Sequence, residues 1–355
     1  MGIHQVVAGA SAGDAVTNTA LGFQGILQRV GPSGIFARYV DPRLDGKVAP
    51  LGAYAACADR DDILIYHASI GEPEVVRFLL ESPQRLVLVY HNITPARYFV
   101  PYDATFANLL ATGRRELVML RDRVLMALAV SNYNANELQA VGYEDVRVSP
   151  LPVDPWVLRS LEPDERMVAE VDAIKGPLIL FVGQILPHKR PDLLLHAFHL
   201  LVTHIRPDAN LAMLGPTRLD GYYRALQQQA RELNLSNALV PGWLRAEELV
   251  AFYRAASLFV TMSEHEGVCV PLLEAMSFDV PVVARAFAAI PETMGNAGIL
   301  LPPEDDPALV AEALAALLDD EPLRGQLVAR GRKRIGEVDS DAAVAAFLDH
   351  LASIA

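Results

Sequence analysis

The stretch LFVTMSEHEGVCVPLLEAMSFDVPVVARA, Leu258 to Ala286, decides the fold. Its first six residues form a short apolar run of strand type, "EHEGV" has the polarity and glycine of a loop, "PLLEAMSF" spaces its apolar residues as a helix does, and "PVVARA" is strand-like again. Pro271 falls close to the first turn of the helix, where a missing N–H removes no hydrogen bond. Glu266 therefore lies in the loop and Glu274 about one turn into the helix. Acidic residues near a helix start complement its dipole, so two carboxylates here do not by themselves mark a site.

The same alternation runs outward in both directions. Ahead of the stretch come "PLILFVG", "RPDLLLHAFHLLVTHI", "NLAMLG", "GYYRALQQQARELN", "NALVPG" and "EELVAFYRAA", strand and helix patterns by turns. An earlier series, "HQVVAGA", "GIFARYV", "DILIYHA", "RLVLVYH", "ALAVS" and "VRVSPLPV", repeats the scheme with longer amphipathic segments between most runs. Near-continuous apolar strands belong to parallel sheets buried on both faces. The fold class is α/β, with two Rossmann-like doubly wound domains facing a cleft. Charge-rich "LEPDERMVAEVDAIKGP", Leu161 to Pro177, loses the strand pattern and is read as the linker. The expected domains are residues 1–165, residues 166–338, and a C-terminal helix, 339–355, packing back on the first domain.

Composition agrees and excludes other classes. A chain of 355 residues exceeds what one core organises, and 52% hydrophobic residues suffice for two. Two cysteines, Cys57 and Cys269, make no disulfide framework. The opening "MGIHQVVAGASAGD" lacks the basic start and long apolar run of a signal peptide, and no run reaches the length of a membrane span, so a cytoplasmic location is expected. A net charge of −13 argues against a nucleic-acid partner. "GRRELVMLRDRV" sets Arg114, Arg115, Arg121 and Arg123 among apolar residues at partly helical spacing. It reads either as a solvated helix paired by Glu116 and Asp122 or as a peripheral membrane contact at the inner face.

In an open parallel sheet, ligands sit beyond the carboxyl ends of the strands, where helix N-termini present free N–H groups. "GASAGDAV", Gly9 to Val16, ends the first strand; Gly13 permits close approach of a ligand and Asp14 can cap the next helix. Its spacing is not G-x-G-x-x-G, which disfavours a dinucleotide. "LILFVG" runs into "QILPHKRPD", placing Lys189 and Arg190 where a cation can reach phosphates. The amides of Gly267, Val268, Cys269 and Val270 can form an anion nest over the same sheet edge. Carboxylates beside an anion site suit a ligand with a diphosphate in its middle and hydroxyl groups at either end, as in a nucleotide-sugar. No clustered aspartate pair for a divalent cation is present, so no metal is expected.

The set "FVGQILPHKRPDLLLHAF", "AFYRAASLFVTMSEHEGVCVPLLEAMSFDVPVVA" and "IPETMGNAGILL" strongly resembles the retaining GT-B glycosyltransferases of the family 4 type, the glycosyl transferases group 1. The resemblance covers nearly all of the second domain and extends more loosely to "YHASIG", "YHNITPARYF" and "GDAV" in the first. It implies a retaining, metal-independent hexosyltransferase that needs no cofactor and uses a nucleotide-diphosphate sugar as donor, a UDP- or GDP-sugar foremost. The implied acceptor is a sugar, a lipid-linked or a small-molecule hydroxyl, in polysaccharide or glycoconjugate synthesis. Carried over by position, Glu274 would bind the ribose hydroxyls, Glu266 the transferred sugar, and Lys189 the diphosphate, helped by the amides of Gly267 to Val270 and by Arg190. His91 would stand by the donor sugar near the reacting carbon, and Gly13 would line the cleft. His67 is read as structural. Many members have arginine where this chain has Gln184 and phenylalanine where it has Val268, so the diphosphate site has one cation fewer. The other readings on the same fold are a nucleotide-sugar-binding partner subunit without catalysis, and a sugar-nucleotide epimerase or phosphorylase.

Overall fold

The computed structural model describes residues 1–354. It divides into two compact units, Met1–Pro152 together with the segment from Ser340 onward, and Val153–Asp339.

The first unit alternates strands and helices: β1 (Ile3–Ala10), α1 (Ala15–Leu27), β2 (Ile35–Val40), β3 (Ala49–Pro50), β4 (Ile63–Ala68), α2 (Pro73–Glu81), β5 (Arg85–Tyr90), α3 (Ala104–Leu120), β6 (Met126–Ala129), α4 (Asn132–Val141) and β7 (Val146–Val148). The strands form one parallel sheet in the order β3-β2-β1-β4-β5-β6-β7. Its central strands are covered on both faces, Ile63, Leu64 and Ile65 being 0% exposed, which is why they read as unbroken apolar runs. β3 is a two-residue edge strand carrying Pro50, too short to leave an apolar run in the sequence.

The second unit runs α5 (Trp156–Arg159), α6 (Glu165–Asp172), β8 (Leu178–Val182), α7 (Pro191–His204), β9 (Asn210–Leu214), α8 (Asp220–Glu232), β10 (Ala238–Gly242), α9 (Ala246–Ala255), β11 (Leu258–Thr261), α10 (Val270–Ser277), β12 (Val282–Arg285), α11 (Ile290–Met294), β13 (Gly298–Leu301), α12 (Pro307–Asp319) and α13 (Glu321–Gly336). Its parallel sheet has the order β10-β9-β8-β11-β12-β13. Leu258–Ala286 is thus β11, loop, α10 and β12, with Pro271 in the first turn of α10.

The division between the units falls at Pro152/Val153, thirteen residues ahead of the boundary expected at 165/166, and Leu161–Pro177 is not a free linker. α6 lies inside that segment, capped by Asp164, whose side chain accepts the Met167 N–H at 3.0 Å. Val171 is buried in the core of the second unit, with Met167 packed against it. The charges that suggested a linker are the outer face of an amphipathic helix. The last helix, α14 (Ser340–Ala352), belongs to the first unit. Its Phe347 stacks on Phe23 of α1 at 4.1 Å with rings 3° from parallel, and Leu351 enters the same core.

Each sheet has one point where the strand order reverses, between β1 and β4 in the first and between β8 and β11 in the second. In an open parallel sheet a ligand binds at such a reversal, beyond the carboxyl ends of the strands.

Candidate functional site

In the second unit the loops after β8 and β11 meet. His188, in the turn Pro187–Lys189, accepts the Glu264 N–H on its carbonyl at 2.8 Å, and the Ser263 hydroxyl lies 3.5 Å from the same oxygen. The His188 ring is buried beneath this junction, and burial, with Lys189 and His265 nearby, holds it well below the usual histidine range. So fastened, the loops bring Lys189 and Glu266 together: the ammonium donates to Glu266 Oε1, with the side chains 17% and 11% exposed. Two residues 77 positions apart thus form one ion pair at the switch point.

Arg190 is occupied elsewhere. It stands in the left-handed region at φ 52°, ahead of α7, and its guanidinium binds Asp192, Glu264 and Asp305. Arg285, 1% exposed at the end of β12, joins the cluster through Glu264 at 3.3 Å and Asp305 at 2.7 Å, with its guanidinium over the Phe287 ring. Glu264, Asp305 and Arg285 were not singled out from the sequence. They lock the 263–266 loop and hold Arg190 on carboxylates, away from the role of a free second cation that the sequence suggested for it.

The amides of Gly267, Val268, Cys269 and Val270 donate to no other group among the described residues. Cys269 caps α10 in the left-handed conformation at φ 66°, and the Thr293 hydroxyl donates to the Val268 carbonyl, fixing the turn. Four unpaired N–H groups at the start of a helix attract an anion. One turn on, Glu274 accepts a 2.9 Å hydrogen bond from the Tyr253 hydroxyl on Oε2, while Oε1 takes none from the described residues. Burial pushes the Glu274 carboxyl up, and the Tyr253 bond opposes this. Tyr253, fully buried between Phe259 and Phe278, was missed because its spacing in α9 is that of an ordinary core residue.

Gln184 faces a cavity of about 190 Å³ lined also by Gly183, Gly215, Pro216, Trp243 and Leu244. Gly215 has φ +145°, and a Cβ there would come 2.0 Å from the Gly183 carbonyl oxygen, so the close approach of the β8 and β9 loops requires glycine. The endings "FVG" and "MLG" of two successive strands carried that signal in the sequence.

In the first unit, β1, β4 and β5 lie side by side. Gly13 has φ +84° with open space around it, and Asp14 caps α1 by accepting the Thr17 N–H at 3.0 Å. His67, on β4 and 0% exposed, lies beside half-buried His91 at the end of β5: Nδ1 of His67 is 2.8 Å from Nε2 of His91. His67 Nε2 is 2.9 Å from Gln5 Oε1, and the Gln5 amide nitrogen donates to the Ala20 carbonyl at 3.0 Å. Burial lowers His91 to about 4; burial and then the neighbouring His91 hold His67 well below the usual range. Asn92 follows with φ 77° and both amide polar atoms buried without a partner.

The arginines of "GRRELVMLRDRV" are mostly tied down. Arg114 binds the Ile93 carbonyl and, at 3.0 Å, Glu137; Arg123 caps the Ser82 and Gln84 carbonyls; Arg121 pairs with Asp122. Glu116 is not a solvated partner, being 4% exposed and accepting the Glu72 N–H. No described helix is long and apolar enough to cross a membrane, and no group of three His, Cys, Asp or Glu side chains among the described residues is arranged to hold a metal.

Residues 165–334 match the family of glycosyl transferases group 1. The second unit is a glycosyl transferases group 1 domain. This glycosyl transferases group 1 domain contains every residue named above from Lys189 to Glu274. Over 216 residues the chain is 30% identical to the O-antigen chain mannosyltransferase B of Escherichia coli, a stretch covering 56% of this chain and 53% of that one. The chain spans about half the length of the curated relatives it matches. Among solved structures, sucrose-phosphate synthase from Thermosynechococcus elongatus superposes with a TM-score of 0.76 at 16% identity over 99% of this chain and 98% of that chain. Anabaena HepE, solved in complex with UDP and glucose, gives 0.74 at 15% identity over 99% and 100%. The fold is GT-B, two parallel-sheet α/β domains.

Proposed function

We propose that the protein is a retaining glycosyltransferase that moves a hexose from a nucleoside-diphosphate sugar to a hydroxyl acceptor in polysaccharide or glycoconjugate synthesis. The observation that carries this reading is the convergence, at the β8/β11 switch point, of Lys189, Glu266 and the four unpaired amides of Gly267 to Val270. A diphosphate displaces Glu266 from Lys189 and takes the ammonium and the amides as its donors. Glu266, released, turns to hydroxyls of the transferred sugar; Glu274, steadied by Tyr253, accepts from the ribose diol through Oε1. The cavity beside Gln184 and Trp243 takes the nucleobase. His91 contacts the sugar near its reacting carbon.

The chemistry follows from charge. As the bond from the anomeric carbon to the diphosphate oxygen breaks, the sugar becomes oxocarbenium-like and the leaving group more negative. Donors aimed at the phosphates therefore stabilise the transition state more than the ground state. The acceptor oxygen attacks from the face that the diphosphate leaves, its proton passes to the departing phosphate oxygen, and the configuration is retained without a protein base. In this scheme neither a metal nor a cofactor is required, since Lys189 and the helix amides carry the charge.

The mannosyl transfer named for the Escherichia coli relative and the UDP of the Anabaena structure support a hexose donor on a nucleoside diphosphate. A panel of UDP-, GDP-, ADP- and dTDP-sugars with hydroxyl acceptors tests the reading. The expected result is acceptor-dependent nucleotide release with one preferred donor and an axial-to-axial or equatorial-to-equatorial product. Binding without release, or an epimerised donor, would replace it by a binding subunit or an epimerase.

A further inference from the structure

The hydrogen bonds that end at His91 have a direction set by the group where they begin. The Ala20 carbonyl can only accept, so the Gln5 amide nitrogen faces it as donor. Gln5 Oε1 is then the atom turned to His67 and can only accept, which puts a proton on His67 Nε2. An imidazole with its proton on Nε2 has a bare Nδ1, and that nitrogen faces His91 Nε2 at 2.8 Å. One proton fits between two ring nitrogens at this distance, so His91 carries it on Nε2 and keeps its own Nδ1 bare.

The packing supports this order. His67 sits on β4 between β1 and β5, and it is wholly buried, with Phe23 behind its ring at 6.1 Å and Phe347 of α14 stacked on Phe23. Among the described residues no carboxylate touches either ring, and burial keeps both imidazoles uncharged at neutral pH. Among the described residues His91 makes no side-chain hydrogen bond other than that to His67. Its Nδ1 is therefore left for a ligand.

We propose that Gln5 and His67 are positioning residues that lock His91 as the Nε2–H tautomer, so that it presents a hydrogen-bond acceptor, bare Nδ1, to a hydroxyl of the bound sugar. This deepens the glycosyltransferase reading and rests on it for the identity of the ligand. The consequence is chemical selectivity: His91 accepts from a hydroxyl and cannot act as a proton donor to the departing phosphate. A relay that begins at a backbone carbonyl cannot be reversed by rotating one side chain, which gives His67 a function beyond filling the sheet.

The test reads the tautomers directly. Long-range proton–nitrogen correlation spectra of the full chain labelled in histidine, assigned by comparison with His67→Asn and His91→Gln, are expected to show Nε2 protonated and Nδ1 bare in both residues. Gln5→Glu sets a carboxylate against His67 Nε2–H and so holds on the ring a second proton taken from solvent, making it an imidazolium. His67 Nδ1 then donates to His91 Nε2, and the His91 proton moves to Nδ1. That variant should lose about tenfold in kcat, the order expected for one hydrogen bond turned from attraction to repulsion, while its calorimetric Kd for UDP and GDP stays that of the parent. Gln5→Met, which keeps the shape and removes the acceptor, should give a mixture of tautomers and a smaller loss. A parent His91 protonated on Nδ1, or a Gln5→Glu variant that reverses the tautomer and keeps the parental kcat, overturns the proposal. A parent with the expected tautomers that transfers no sugar from any donor overturns the glycosyltransferase reading and leaves the relay standing.

Discussion

Lys189 and Glu266 are hydrogen-bonded to each other across the ends of β8 and β11. The cation proposed for the diphosphate and the carboxylate proposed for the sugar thus neutralise one another. Binding of the donor must break this pair, so each residue should act on affinity in the opposite sense to the other.

A hydrogen bond to a charged group is worth about 1.5–3 kcal/mol, so Lys189→Ala should weaken nucleoside-diphosphate binding roughly ten- to a hundredfold. Glu266→Gln frees the ammonium and should hold or tighten the same affinity while depressing turnover. Calorimetry with UDP and GDP, together with steady-state kinetics, measures both. Parental affinity in Lys189→Ala would show that the phosphates lie elsewhere.

Tyr253→Phe keeps the stacked ring and removes the hydroxyl that donates to Glu274. Its expected effect is a rise in donor KM of a few-fold to about tenfold, with kcat nearly unchanged, and Glu274→Gln should act in the same direction. A pure fall in kcat in either variant would place Glu274 on the reacting sugar instead of the ribose.

The folded-state values of His67 and His91 lie below the ordinary 6.5, His91 at about 4. A depressed histidine binds fewer protons folded than unfolded between those limits, so its contribution to stability is complete above about pH 6.5 and is lost as the pH falls toward 4. For His91 the full difference is on the order of 3 kcal/mol. Denaturant unfolding at pH 7.5 and pH 5 should show a larger loss for the parent than for a His67→Gln/His91→Gln double variant. Equal losses would mean that the two rings are solvated.

Because Lys189 and the amides of Gly267 to Val270 supply the positive field, turnover should survive excess EDTA. Activity that disappears on chelation and returns with magnesium or manganese would assign the diphosphate to a metal.

What could be read from the chain alone was what local physics writes into it. β1, β4, β5, β8 and β11 are largely buried, and strands so placed read as mainly apolar runs, with buried Gln5 and His67 as hydrogen-bonded exceptions. Pro271 and the glycines ending β8 and β9 marked turns because each serves a backbone that other residues fit poorly. Lys189 and Glu266 could be placed on loops and Glu274 in a helix from the local pattern, while the roles expected of them came from the family resemblance. The charged segment around α6 misled for a similar reason: composition reports polarity, and an amphipathic helix is polar on one side only, so the unit boundary at Pro152/Val153 was not legible.

Tertiary structure decided the partnerships. Strand order places β8 beside β11 and β4 beside β5, and only that order joins Lys189 to Glu266, Arg190 and Arg285 to Glu264 and Asp305, and His67 to His91. Such pairs are separated by tens of residues, and no local propensity records them, since the closure of a long loop is balanced by the packing of the whole sheet. The sequence determined which residues stand at the strand ends; the topology determined which of those ends meet, and with that which charges are free and which nitrogen carries a proton.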